Sequence, residues 1–263
     1  MSTIVLFHAH PDDESITTGG TAARAVAEGH RVVLVVATGG EYGESPDDLA
    51  AGETLAARRR VETANSAATL GIQRVAWLGY FDSGMTGWEQ NGHAGSFTGA
   101  PLDEAAGRLA TILREEQADV LTTYDWHGNY GHPDHVKVHQ VGHRAAELAG
   151  VDRVYEATMN RDEIRTFMAM AREAGAPEDS VFDPDGPADD GNPFGMLEAD
   201  LTTKVDVSAF VEQKRRSIAC HASQVTDTSM FLTMPDEQFA TAFGTEWFIH
   251  RGAPAGTAET WLL

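Results

Sequence analysis

Short apolar runs rich in β-branched residues recur along the first half of the chain: Ile4 to Phe7, Arg31 to Ala37 (RVVLVVA), Val75 to Leu78 and Val120 to Thr123. Runs of this kind, without polar alternation, belong to strands buried on both faces. Between them the pattern predicts helices over Ser15 to Glu28, Glu53 to Leu70 and Leu102 to Gln117, with a further helix from His132 or His135 to Leu148. Strand and helix alternate. The expected class is therefore α/β: a mainly parallel, Rossmann-like sheet flanked by helices, with a smaller C-terminal α/β portion. In that portion LTTKVDV and TEWFIH read as strands and SAFVEQKRRSIACHA as a helix. Residues 176–195, dense in Pro, Gly and Asp, read as a surface loop, with a lid over the site as the alternative. Length fits one unit of 263 residues, with a core at 1–150 and residues 151–263 completing the site.

Open parallel sheets place their sites beyond the carboxyl ends of the strands. HAHPDDE, TGGEYGE, GYFDSGM and YDWHGNYGHPDH each follow an expected strand, so the topology brings them to one rim. In the first of these, Pro11 fixes its own φ and biases His10 toward an extended backbone, which lets His10 and Asp13 converge while Asp12 projects elsewhere. GHPDH, residues 131–135, repeats the pattern with His132 and His135. An imidazole and a carboxylate from one loop and an imidazole from another make a three-ligand set with a fourth position open, the arrangement of catalytic zinc. His10, Asp13 and His135 are the expected ligands. Asp12, adjacent to a ligand, is the expected general base.

Other readings remain open. Asp13 or Ser15 could cap the helix that begins near Ser15. His8 could replace His10, and His135 with His139 forms an HxxxH pair that lacks the glutamate of a zinc-protease helix.

Charge narrows the partners. With 19 Lys plus Arg against 40 Asp plus Glu, the formal charge of −21 disfavours nucleic acid and anionic membranes, and its bland reading is a solvated surface. Cys220 is the single cysteine, so no internal disulfide exists and a cytoplasmic setting fits. No signal-peptide pattern or long apolar span is present in the sequence. Gly39 and Gly40 are not followed by phosphate-loop spacing.

AHPDDE together with HPDH resembles the PIG-L/LmbE superfamily of zinc-dependent de-N-acetylases. The longer stretches HAHPDDES, YFDSGM, TYDWHGNYGHPDH and CHASQ are most similar to its mycothiol-pathway members, the deacetylases and S-conjugate amidases. The resemblance implies zinc at His10, Asp13 and His135, with Fe2+ as the alternative metal, and Asp12 as base. It further implies His132 beside the reacting carbonyl as acid or electrostatic partner, Asp134 orienting it, Tyr130 at the oxyanion, and Arg59 and Asp82 on the sugar. The implied activity is hydrolytic removal of an N-acyl group, acetyl being the expected one, from an N-acetylglucosamine-type conjugate. Mycothiol S-conjugates and natural-product sugars stand as alternative substrates, a non-catalytic sugar-binding module as the rival class, and a homo-oligomer as compatible. TGWEQNGHAGSFTGAP, residues 86–101, matches no assignable pattern and leaves the aglycone open.

Overall fold

The computed structural model describes residues 1–173, 175, 182–256 and 258–263. Its sheet has seven strands among those residues: β1 (Thr3–His8), β2 (Arg31–Thr38), β3 (Arg74–Tyr80), β4 (Val120–Tyr124), β5 (Arg153–Thr158), β6 (Thr203–Asp206) and β7 (Thr245–His250), in the order β3-β2-β1-β4-β5-β7-β6. The first five are parallel, and β7 runs antiparallel to both β5 and β6. Ile4 to Phe7 and Val32 to Val36 are fully buried, which is why their sequence shows no polar alternation. Strand order reverses between β1 and β4. That switch point is where the carboxyl-end loops part and leave a crevice.

The helices are α1 (Asp13–Thr17), α2 (Gly19–Ala27), α3 (Leu55–Leu70), α4 (Leu102–Glu115), α5 (Pro133–Ala149), α6 (Arg161–Glu173), α7 (Val211–Ala219), α8 (Met230–Thr233) and α9 (Asp236–Phe243). The helix expected over Ser15 to Glu28 is two helices, broken at Thr18 (φ −131°, ψ 13°). The break has an electrostatic partner. Glu246 on β7 accepts the N–H groups of Gly20 (2.8 Å) and Thr21 (2.7 Å), and its charge is matched by Lys214 of α7 at 2.7 Å. A carboxylate at a new helix N-terminus satisfies donors that a continuous helix would have used internally. Gly20 also lies so close to Val207 that an added Cβ would meet it at 2.5 Å.

β5 and α6 were not evident in the sequence, where RVYEAT is too short and mixed to stand out. The C-terminal strands extend the same sheet, and one continuous apolar cluster runs from Ile4 to Leu262. A smaller cluster of Ile218, Val225 and Phe239 lies under α7 to α9. Of the loop expected at 176–195, residues 176–181 lie outside the described residues. The described part is anchored: Asp189 N–H donates to Tyr130 O (2.9 Å), Gly195 N–H to Asn129 O (2.7 Å), and Phe194 stacks on Tyr130.

Candidate active site

The β1–α1 loop carries HPDD, and each of its polar residues goes a different way. His8, the last residue of β1, is fully buried, with Nδ1 2.8 Å from the Tyr124 hydroxyl and Nε2 2.8 Å from Thr18 Oγ1. Both ring nitrogens are committed, and burial lowers its pKa to about 4, so it is a neutral core histidine and not a substitute for His10. His10 Nδ1 lies 3.6 Å from Asp13 Oδ2, and the same oxygen lies 3.4 Å from His135 Nε2. Three donors bonded at about 2.1 Å to one tetrahedral ion would sit about 3.4 Å apart. The spacing fits.

The far side of the His10 ring is also held. Nε2 donates to Asp134 Oδ2 at 3.2 Å and lies 3.6 Å from Asp82 Oδ1, leaving Nδ1 free to face Asp13 and His135. Carboxylates behind a ligating imidazole fix its tautomer in this way. Although burial desolvates His10, the carboxylates of Asp82, Asp13 and Asp134 hold its pKa well above the ordinary value. Asp13, with burial working against it, is held well below the carboxylate range by His135 and His10. The pocket favours a cation between these groups. A divalent ion of the zinc class therefore suits the donor set of two imidazoles and a carboxylate.

His132 stands over the pair, with its ring centroid 4.6 Å from that of His10 and 5.3 Å from that of His135. Ligand atoms of the three histidines lie within 4.8 Å of one another, so His132 is a competing third donor. Asp13 is the better one, because a single oxygen already sits at tetrahedral spacing from both imidazoles. His132 is the N-cap of α5: its Nδ1 accepts the Asp134 N–H at 3.1 Å, and Pro133 at the first helical position presets the turn. Nδ1 is thereby used as an acceptor, and the proton of the neutral ring resides on Nε2. Burial, reinforced by repulsion from His10 and His135, lowers its pKa to about 3.

Asp134 departs from the sequence expectation in one respect. Its carboxylate does not touch the His132 ring but is taken up by Ser83 N–H (2.8 Å), Ser83 Oγ, Thr98 Oγ1 (3.1 Å) and His10. Only its backbone N–H orients His132. The reason is helical geometry: a residue in the first turn of α5 points its side chain back toward the β3 loop.

Asp12 adopts φ 99° and ψ −33°, outside the regions open to most L-residues. Glu14 Oε2 accepts its N–H at 3.0 Å, and Arg59 donates to Asp12 Oδ2 at 3.1 Å. Burial raises the Asp12 carboxyl pKa to about 6, with Arg59 opposing the rise. Arg59 is itself 4% exposed and also donates to Pro11 O and Gly40 O. Those bonds leave it holding Asp12 while it still borders the cavity, a tighter role than free sugar binding.

Asp82 accepts Gly84 N–H (2.8 Å) and Tyr42 N–H (3.2 Å), so it caps its turn as well as facing His10. Tyr130 places its hydroxyl 3.4 Å from His135 Nε2, and burial raises its pKa. His10, Asp12, Asp13, Arg59, Asp82, Tyr130 and His132 line one cavity of about 220 Å³, together with Tyr42, Met85 and Trp88. A larger cavity of about 430 Å³, bordered by Phe81, His93, Glu104 and Arg108, holds none of the clustered groups.

With this geometry in place, the relatives become informative. Residues 5–146 match the family model described as PIG-L: GlcNAc-PI de-N-acetylase. The chain belongs to the PIG-L family. A Nocardioides protein named 1D-myo-inositol 2-acetamido-2-deoxy-alpha-D-glucopyranoside deacetylase is 38% identical over 93% of this chain and 90% of its own. Its Streptomyces avermitilis namesake is 37% identical, over 99% and 96%. Among solved structures, N,N'-diacetylchitobiose deacetylase from Pyrococcus horikoshii aligns with a TM-score of 0.60 at 24% identity, covering 95% of this chain and 83% of that one, a likeness of fold.

Several residues of this PIG-L site were missed in the sequence. Glu14 and His221 are both fully buried and 2.7 Å apart, and Ser66 also donates to Glu14. The third acid of HPDDE and the histidine of CHASQ were on view, but nothing in their spacing says that they meet. His221 faces Glu14 and not Cys220, whose thiol donates to Arg216 O. Trp88, in the stretch 86–101, lines the same cavity.

Proposed function

We propose that the chain is a metal-dependent N-deacetylase of an amino-sugar conjugate, with 1D-myo-inositol 2-acetamido-2-deoxy-α-D-glucopyranoside as its substrate class. The observation that carries the reading is the Asp13 oxygen shared between His10 and His135 at tetrahedral spacing, with the carboxylate of Asp12 held beside it. Relatives of that printed name, at 37–38% identity across nearly the whole chain, support the substrate.

His10 Nδ1, Asp13 Oδ2 and His135 Nε2 would hold the ion, zinc by donor chemistry and Fe2+ by the same set. A divalent ion there supplies Lewis-acid polarisation of the amide carbonyl and a water acidic enough to act near neutral pH. Asp12 takes the proton of the attacking water, and its fixed backbone and the Arg59 bond hold the acceptor oxygen in place. His132 turns Nε2–H toward the cavity, where it donates to the oxyanion that develops on the carbonyl oxygen. The Tyr130 hydroxyl stands near enough to add a second donor. The departing amine receives the proton collected by Asp12. Asp82, facing the cavity, accepts from sugar hydroxyls.

The C-terminal portion completes the site, since His221 reaches back to Glu14 and Gln224 accepts Glu44 N–H at 3.1 Å. Among the described residues no helix is long and apolar enough to cross a membrane, and the free Cys220 suits the cytoplasm. Acetate release is measured from the inositol conjugate, N-acetylglucosamine and N,N'-diacetylchitobiose. The highest kcat/KM is expected for the first; equal rates refute the inositol assignment, and no release from any refutes the enzyme reading.

A further inference from the structure

Helix α5 carries three histidines on one face. His135 belongs to the site above; His139 and His143 follow about 6 and 12 Å further along the axis. Their rings meet at right-angle-like geometry, 4.5 Å between centroids and 65° between planes. Glu156 of β5 faces both, with Oε1 2.6 Å from His143 Nε2 and 3.7 Å from His139 Nδ1. One ligand atom from each of the three residues lies within 4.8 Å of the others. The sequence contained the i, i+4 imidazole pair but did not show the acid that meets it. The sheet supplies it.

From this convergence we propose a second divalent-cation site, held by His139, His143 and Glu156, that takes an ion of the zinc class independently of the amide-cleaving site. Two imidazoles and one carboxylate are zinc-type donors, and the three leave a fourth position to water. His139 Nδ1, the nitrogen 3.7 Å from Glu156, now donates to the Tyr124 carbonyl at 2.9 Å; ligation would replace that bond and leave the ring proton on Nε2. The three side chains are 15–23% exposed, enough for an ion to enter without unfolding the helix.

Loading exchanges an ion for a proton. His143 Nε2–H gives up the hydrogen now shared with Glu156, the ion takes its place between nitrogen and oxygen, and the proton passes to solvent. Their separation opens from 2.6 Å toward the roughly 3.4 Å edge of a tetrahedral site. Both steps are side-chain rotations. The strand and helix need not move.

Equilibrium dialysis against Zn2+ with metal analysis tests the proposal on the intact chain, on His143→Ala and on Glu156→Gln. His10→Ala/His135→Ala serves as the background in which the first site is removed. Each of the two single variants is expected to lose one equivalent of bound zinc, and the double-variant background to keep one that His143→Ala then removes. Circular dichroism of the same samples identifies any variant that fails to fold, and Co2+ titration of the unmodified chain, read by visible absorption, replaces it with a two-step binding curve. Zinc content unchanged by both His143→Ala and Glu156→Gln, or a Co2+ curve that ends at one equivalent, overturns the second site. Neither result depends on acetate release.

Discussion

Asp12 combines a carboxylate at the reacting end of the cavity with a backbone that a non-glycine residue occupies at a cost on the order of 1–3 kcal/mol. Glu14, Arg59 and the turn at Pro11 offset that cost, and Glu14 is fixed in turn by His221 and Ser66. The crowding of HAHPDDES thus resolves into separate roles. His8, held by Tyr124 and Thr18, and Glu14, held by His221 and Ser66, are interior residues, His10 and Asp13 face one point, and Asp12 is left beside it. Asp12→Ala is expected to lower kcat at least 100-fold while leaving bound metal unchanged, as acetate release and metal analysis would read. Asp12→Gly should lose the same activity yet unfold about 1 kcal/mol later than Asp12→Ala, because glycine accepts this φ freely. Equal stability of the two variants would argue against strain at this residue. The paired pattern of His10, Asp13 and His135 was legible because the motif repeats at two strand ends. Glu14 with His221 was not, since a contact between residues 207 positions apart leaves no local trace.

At the scale of elements, four of the five parallel strands, β1 to β4, were legible in their apolar runs. β5 was not, because Glu156 interrupts its pattern, and that interruption is the residue that meets His139 and His143. The break between α1 and α2 was hidden for a related reason: its cause, Glu246 on β7, lies far along the chain. Gly20 sits where the broken helix closes on Val207, so Gly20→Ala forces a clash at 2.5 Å and should destabilise by about 1–3 kcal/mol. Gly107, inside α4 with open space around it, should respond in the opposite sense, Gly107→Ala stabilising by about 0.5–1 kcal/mol. Urea unfolding of both variants separates crowding from helix propensity. Gly128 makes a comparable approach at the site, where a Cβ would strike His135 Cβ at 2.3 Å.

Across the whole molecule, the C-terminal residues are tied to the N-terminal ones by charge as well as by sheet pairing. Lys214 and Glu246, each 2% exposed, join α7, β7 and the start of α2. Removing one member strands the other, so Lys214→Met should destabilise by about 3–5 kcal/mol, with Lys214→Met/Glu246→Gln recovering part of the loss in thermal unfolding. Full additivity of the two substitutions would contradict the coupling. At the site three carboxylates, Asp13, Asp82 and Asp134, face the one His10 ring, so negative charge gathers where a cation would sit. The account rests on one convergence, that of His10, Asp13 and His135. The most direct measurement is metal content and acetate release of chelator-treated protein restored with a single equivalent of zinc, beside His135→Ala handled identically. Recovery of activity in the intact chain, and neither tight zinc at the first site nor activity in the variant, is the predicted result; full activity in His135→Ala, or in the chelated chain before zinc is returned, would contradict it.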